Sequence, residues 1–263
     1  MTISELKKDA KTRLKGKMGK AFGIMAIYFI ISFLLQLIGT FLKNQTLNII
    51  YQIVILIVTF PFSYGILASM IKLSRNEEVG ITDFINIGLQ NLGKIWGIFG
   101  WTLLKLLLPT ILYVVSIIVC SLAIASANSA GITLITAVIM ICIMIYYIAK
   151  TLSYILSSYI LFDEGNLSSK EIVEKSNELM KGNKGKYILL GLSFIGWFLL
   201  IYAFAFVIGI LGSILGVVGA ILGFILMAVG AFILSIYIEF TFISFYEDLN
   251  SYTETTVVNE VIE

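Results

Sequence analysis

Met180-Lys-Gly-Asn-Lys-Gly-Lys186 runs without a break into Tyr187-Ile-Leu-Leu-Gly-Leu-Ser-Phe-Ile-Gly-Trp197-Phe-Leu-Leu200. A basic, glycine-containing collar thus opens into an apolar segment long enough to cross a bilayer, which takes roughly 20 apolar residues. Weaker forms of this junction stand at Lys15-Gly-Lys-Met-Gly-Lys20 and at Gly93-Lys94. Three sites share a pattern: Gly19-Lys20-Ala-Phe-Gly-Ile24, Gly93-Lys94-Ile-Trp-Gly-Ile98 and Gly185-Lys186-Tyr-Ile-Leu-Leu190. Each follows an amphipathic segment and precedes two apolar runs, so the chain reads as three parallel units, each a surface helix followed by a helical hairpin.

The surface segments show helical spacing. In residues 1–20, Ile3, Leu6, Ala10, Leu14 and Met18 form an apolar stripe among seven lysines and arginines, a composition suited to an anionic membrane surface. In the second unit the stripe is Ile81, Phe84, Ile85, Gly88, Leu89 and Leu92. In the third, Ser168 and Glu171 have capping-box spacing, and Ile172, Val173, Leu179 and Met180 share a face.

Six apolar windows follow, near 21–42, 47–72, 95–125, 131–161, 187–212 and 217–245. Pro61 predicts a kink in the second. The last two are nearly continuous, and the turn near 213–218 is inferred from length alone. About 60 apolar residues would make a helix roughly 90 Å long, far beyond one crossing. The predicted fold is therefore all-α: six transmembrane helices arranged as three hairpins, each preceded by a cytoplasmic amphipathic helix. Residues 1–263 form one integral membrane domain, comprising the basic surface helix 1–20, the six-helix region 21–246 and an acidic mobile tail, 247–263. No discontinuous-helix signature marks a substrate site.

Composition agrees. Of 263 residues 59% are hydrophobic and 13% charged, outside the range of soluble domains. Fifteen of the 18 lysines and arginines fall in the N-terminal segment and in the loops around 72–94 and 162–186, with Lys43 alone on the opposite side. The positive-inside rule then places both termini in the cytoplasm. With no histidine, the commonest metal ligand and general base is missing. Cys120 and Cys142 lie in apolar runs and read as buried small hydrophobes. No catalytic, cofactor or metal constellation is present, so the chain reads as a non-enzyme with no cofactor. The basic N-terminal segment lacks stacking aromatics before Phe22, which argues against nucleic acid as a partner.

The block Ser176-Asn-Glu-Leu-Met180-Lys-Gly-Asn-Lys184 with Leu192-Ser-Phe-Ile-Gly-Trp197 resembles the signature of the domain-of-unknown-function 975 family of bacterial integral membrane proteins. Tyr154-Ile-Leu-Ser-Ser-Tyr159-Ile-Leu-Phe-Asp163, Ala10-Lys-Thr-Arg-Leu14-Lys-Gly16 and Phe245-Tyr246 are similar to it as well. The family usually carries Trp-Leu-Leu and then Ile-Pro-Gly-Ile in the third helix. Here Trp101-Thr-Leu-Leu104 is present, but Pro109 is followed by Thr110 and a long apolar stretch. The resemblance implies bacterial membrane residence and a six-helix plan, and it brings no activity.

Three ionisable residues lie within apolar windows: Lys105, Lys150 and Glu239. Intramembrane charges usually face a bundle interior and mark a site, so one reading is a cytoplasm-facing cavity for an anion or lipid phosphate. The favoured reading is that both lysines snorkel, leaving 106–125 and 131–149 as the crossings. Lys15, Lys17, Lys20, Lys94, Lys181, Lys184 and Lys186 are the candidate lipid-headgroup contacts. Gly212, Gly216, Gly219 and Gly223 form two GxxxG pairs suited to close helix packing. The expected function is a non-catalytic scaffold or accessory protein of the bacterial plasma membrane. Its expected partners are anionic lipid and a second copy or another membrane protein. The alternative is a small transporter or channel.

Overall fold

The computed structural model describes residues 1–126 and 130–262. Every regular element among them is helical. Six helical stretches are long and apolar enough to cross a membrane: Met18–Thr40, Gln45–Ser74, Leu92–Ser126, Ala130–Asp163, Lys184–Ile210 and Gly216–Ser251. They match the expected windows to within a few residues at most ends. The expected loop near 126–130 falls mostly at 127–129, outside the described residues. Contacts gather the chain into two compact units, Met1–Leu92 with Gly185–Glu263, and Gly93–Lys184. Both internal boundaries coincide with glycine–lysine junctions.

The first unit begins with α1 (Ile3–Leu14), opened by a capping box in which Thr2 accepts from the Glu5 amide and Glu5 accepts from the Thr2 amide. Leu6, Ala10 and Leu14 are buried along one face. α2 (Met18–Thr40) and α3 (Gln45–Ser74) lie side by side. The Tyr51 hydroxyl donates to the Leu35 carbonyl at 2.7 Å, and the Asn48 amide donates to the Gly39 carbonyl at 2.8 Å. Pro61 lies inside α3, as expected. The short α4 (Asp83–Gln90) packs on α3 more closely than side chains would permit. A Cβ on Gly65 would stand 1.9 Å from the Phe84 carbonyl oxygen, and one on Gly88 would stand 2.6 Å from that of Pro61. Glycine on both helices is what lets the backbones meet. The stripe predicted for this segment is narrower than expected. Phe84 and Gly88 are buried, whereas Ile81 and Leu89 are each 45% exposed.

In the second unit, α5 (Leu92–Ser126) meets α6 (Ala130–Leu152) where Tyr113 and Tyr147 stack with centroids 5.0 Å apart. Residues 153–156 leave the helix before α7 (Ser157–Asp163) resumes it. α8 (Ser169–Leu179) has the predicted capping box of Ser168 and Glu171. Hydrogen bonding from Ser168 holds the Glu171 carboxyl below the usual range.

The first unit resumes at Gly185, one residue into α9 (Lys184–Leu192), and closes with α10 (Ile195–Ile262). α10 is two helices joined at Gly216, whose φ of 65° and ψ of −154° form a corner open essentially to glycine alone. This lies within the turn expected near 213–218, and it gives Gly216 a turning role in place of the packing role predicted for it. On either side the arms touch. Gly212 faces Ala220, where a Cβ would lie 3.5 Å from its Cα, and Gly223 faces the Ile208 side chain. Gly219, also predicted to pack, is half-buried. Of the acidic stretch read from 247 onward, Glu247 pairs with Arg75 at 2.8 Å and Asp248 is buried. The helical backbone continues to Ile262. Glu263 lies outside the described residues.

Outward-facing apolar side chains cover the long helices. Phe29, Leu34, Leu108, Leu122 and Phe206 are each more than half exposed. Such continuous apolar cover is far beyond what a soluble monomer presents. Cys120 is buried, but Cys142 belongs to this exposed surface, contrary to its expected burial; both thiols are free.

Candidate functional site

The basic collars are chain turns before they are charge clusters. Gly16 and Gly182, at matching places in Lys15-Gly-Lys and Lys181-Gly-Asn, take φ of +77° and +78°. Each lies just past the end of one helix and just before the start of the next, the usual place of glycine beyond a helix C-terminus. The middle copy departs from this. α4 ends at Asn91 with φ −101°, and the long helix α5 starts at once.

The short helices pack against long helical stretches. α4 packs on α3, and α8 on α7 at the end of the fourth long helix. α1 packs on α10.

Two of these contacts fall on interrupted helices, which the sequence did not announce. At the break of residues 153–156, the buried Ser176 hydroxyl of α8 donates to the Ser153 carbonyl at 3.0 Å and accepts from the Leu156 amide at 3.2 Å. One hydroxyl therefore serves both a donor and an acceptor released by the break. The Lys184 ammonium adds a 2.6 Å bond to the Ser153 hydroxyl. At the second break, Ser193 and Phe194 separate α9 from α10. Lys7 of α1 donates to the Ser193 carbonyl at 2.9 Å and lies 4.3 Å from the Phe194 ring centroid. Burial and the neighbouring Lys11 hold the Lys7 ammonium pKa below its ordinary value.

Several predicted headgroup contacts point inward. Lys17 donates to the Ser74 carbonyl at 3.3 Å, Lys94 to the Leu167 carbonyl at 3.2 Å, and Lys184 to Ser153. Lys186 reaches Asp248 at 2.7 Å. Asp248, only 4% exposed, also takes the terminal amino group of Met1 at 2.9 Å. Lys15, Lys20 and Lys181 are the predicted contacts that remain exposed.

Lys105 and Lys150 belong to the second unit and Glu239 to the first. Lys105 ends a row along α5 that faces α8. Gly97 meets Ser169, with a Cβ position 2.4 Å from its hydroxyl. The Lys170 ammonium sits 5.8 Å from the Trp101 ring centroid, and Lys105 pairs with Glu174 at 3.4 Å. With 40% and 45% of their side chains exposed, Lys105 and Glu174 form an open surface pair. Lys150 is half-buried, its ammonium 5.8 Å from the Tyr146 centroid. Glu239 is half-buried and makes no hydrogen bond or ion pair among the described residues. Groups of three or more cysteine or carboxylate side chains that could hold a metal are absent among the described residues.

The model of the family described as "Protein of unknown function (DUF975)" matches residues 1–253, which takes in both units and all three junctions. The chain belongs to that family. No curated protein and no solved structure matches it. The DUF975 match includes Glu247 and Asp248 and ends at 253, four residues past the buried Leu249.

Proposed function

We propose that this DUF975 protein is a non-catalytic scaffold or accessory protein of the bacterial cytoplasmic membrane. It crosses the bilayer six times as three hairpins, with both termini and the amphipathic helices α1, α4 and α8 on the cytoplasmic side. It engages anionic lipid, or a membrane-protein partner or second copy, through its basic surface. The observation that carries this reading is the docking of three short helices onto the long ones, with Lys20 and Lys181 left facing outward. Where polar groups converge, at Ser153, Ser176 and Asp248, they satisfy one another.

A small transporter or channel with a cytoplasm-facing cavity near Lys105, Lys150 and Glu239 is the second reading. The broken fourth and fifth long helices favour it, since transporters build sites on interrupted helices. The open Lys105–Glu174 pair weighs against it.

Reconstitution separates the two. The scaffold should give no chloride or phosphate flux above that of empty vesicles. In nanodiscs its melting temperature should rise with the phosphatidylglycerol fraction. Replacing Lys20 and Lys181 by glutamine should remove about 1 kcal/mol of that stabilisation per residue at low salt. Saturable flux would establish the transporter instead, and stability blind to lipid charge would remove the lipid role.

Sidedness has its own test. With Cys120 and Cys142 replaced by alanine, single cysteines at Asn44 or Asn128 should react with an impermeant thiol reagent on intact cells. Cysteines at Asn76 or Asn166 should react only after lysis. The reverse pattern would invert the topology.

A further inference from the structure

A groove runs down the first unit from the end of α1 between the two arms of α10. Its mouth, a cavity of about 580 Å³, lies beside Lys11, Lys15, Trp197, Tyr237 and Gly230. That size is within the roughly 300–1,000 Å³ of small-ligand clefts. A second cavity of about 450 Å³ continues it past Phe204, Val207 and Met227, and both cavities share Leu200, Ile201 and Gly230. Below the mouth the lining is apolar, and among the described residues no carboxylate lines either part. From Tyr237 to Met227 is ten residues, about 15 Å along a helix. That is half of a hydrocarbon core about 30 Å thick, the depth of one leaflet.

We infer that this groove is a site for one anionic phospholipid, its phosphate against Lys11 and Lys15 and an acyl chain lying between the arms of α10. The inference rests on the membrane reading proposed above. Charge complementarity selects the occupant. Lys11 and Lys15 stand four residues apart on α1 and its C-cap, exposed, and neither is within ion-pair distance of a carboxylate among the described residues. Lys11 lies 5.7 Å from the Tyr237 ring centroid, whereas Arg13 is paired with Asp9 at 2.7 Å and Lys7 donates to Ser193. Like charges one turn apart repel, and an anion between them relieves that repulsion. Trp197 and Tyr237 beside the lysines suit the headgroup boundary. Gly230 keeps the shaft open, since a Cβ there would meet nothing within 4 Å.

The test is native mass spectrometry of the full chain released from detergent after exchange into phosphatidylglycerol or phosphatidylcholine. Wild type should retain one phosphatidylglycerol, preferred over phosphatidylcholine by about 30-fold for two lysines near a headgroup. Gly230→Phe, which fills the shaft without touching a lysine, should lose the retained lipid of either kind. Lys11→Gln with Lys15→Gln should keep chain binding but lose the preference. Glycerol 3-phosphate, a headgroup without chains, should not compete. Equal retention of both lipids by wild type, or undiminished retention by Gly230→Phe, would overturn the site. If the groove inference alone fails, stabilisation by phosphatidylglycerol in nanodiscs persists in all variants. If that stabilisation is missing in wild type as well, the parent reading fails with it.

Discussion

Gly65→Ala is expected to cost about 3 kcal/mol and to release α4 from α3. The new methyl carbon would lie 1.9 Å from the Phe84 carbonyl oxygen and 2.7 Å from its carbonyl carbon. Both are backbone atoms that cannot rotate away, so the helices must separate. Phe84 then leaves a fully buried seat in which it meets Tyr28 and Phe62 edge-on, each at 6.1 Å between centroids. The change should appear as a lower melting temperature in detergent and as faster amide exchange across Asp83–Gln90. Gly93→Ala is the internal control. Nothing lies within 4 Å of a Cβ there, so added helix propensity should leave stability unchanged or raise it by up to about 1 kcal/mol. Equal losses from both substitutions would refute the close α3–α4 contact.

The second large effect concerns Asp248. Its carboxylate is 4% exposed and accepts from Lys186 at 2.7 Å and from the Met1 amino group at 2.9 Å. The two cationic partners are 27% and 35% exposed, so solvent screens part of the attraction. Lys186→Met leaves a buried carboxylate with one partner, and Asp248→Asn leaves two cations facing a neutral amide. Each should cost about 2 kcal/mol, in the range for hydrogen bonds to charged groups. The double substitution Lys186→Met with Asp248→Asn should cost less than the two single losses together, because neither change then leaves the other's charge facing a lost partner. A double-mutant cycle with no coupling would show that the pair contributes nothing.

Much of this arrangement was legible in the residues alone. Helix number and approximate ends follow from runs of apolar residues bounded by lysine and glycine, because a bilayer sets a minimum length that sequence can meet or miss. The Ser168–Glu171 capping box and the buried row Leu6, Ala10 and Leu14 were equally readable, since both depend on spacing within one helix. Gly216 as a turn was legible only to within a few residues. In a glycine-rich apolar stretch no side chain distinguishes the corner from its neighbours.

What tertiary structure alone decided is which groups meet across the chain. In sequence Ser176 stands only as the first residue of the family-like block, yet it fills the hydrogen-bonding vacancies of a helix broken 20 residues earlier. Lys17, Lys94, Lys184 and Lys186 had the composition of headgroup contacts, and they turn inward because carbonyls and Asp248 lie within reach. Lys105 stood within an apolar window with no partner visible in sequence, and α8 brings Glu174 beside it. The groove at Lys11 and Lys15 joins residues more than 200 positions apart in sequence. Periodicity reports which face of a helix is apolar. Only the packing of one helix on another determines which polar group finds a partner, and which stays free to hold a ligand.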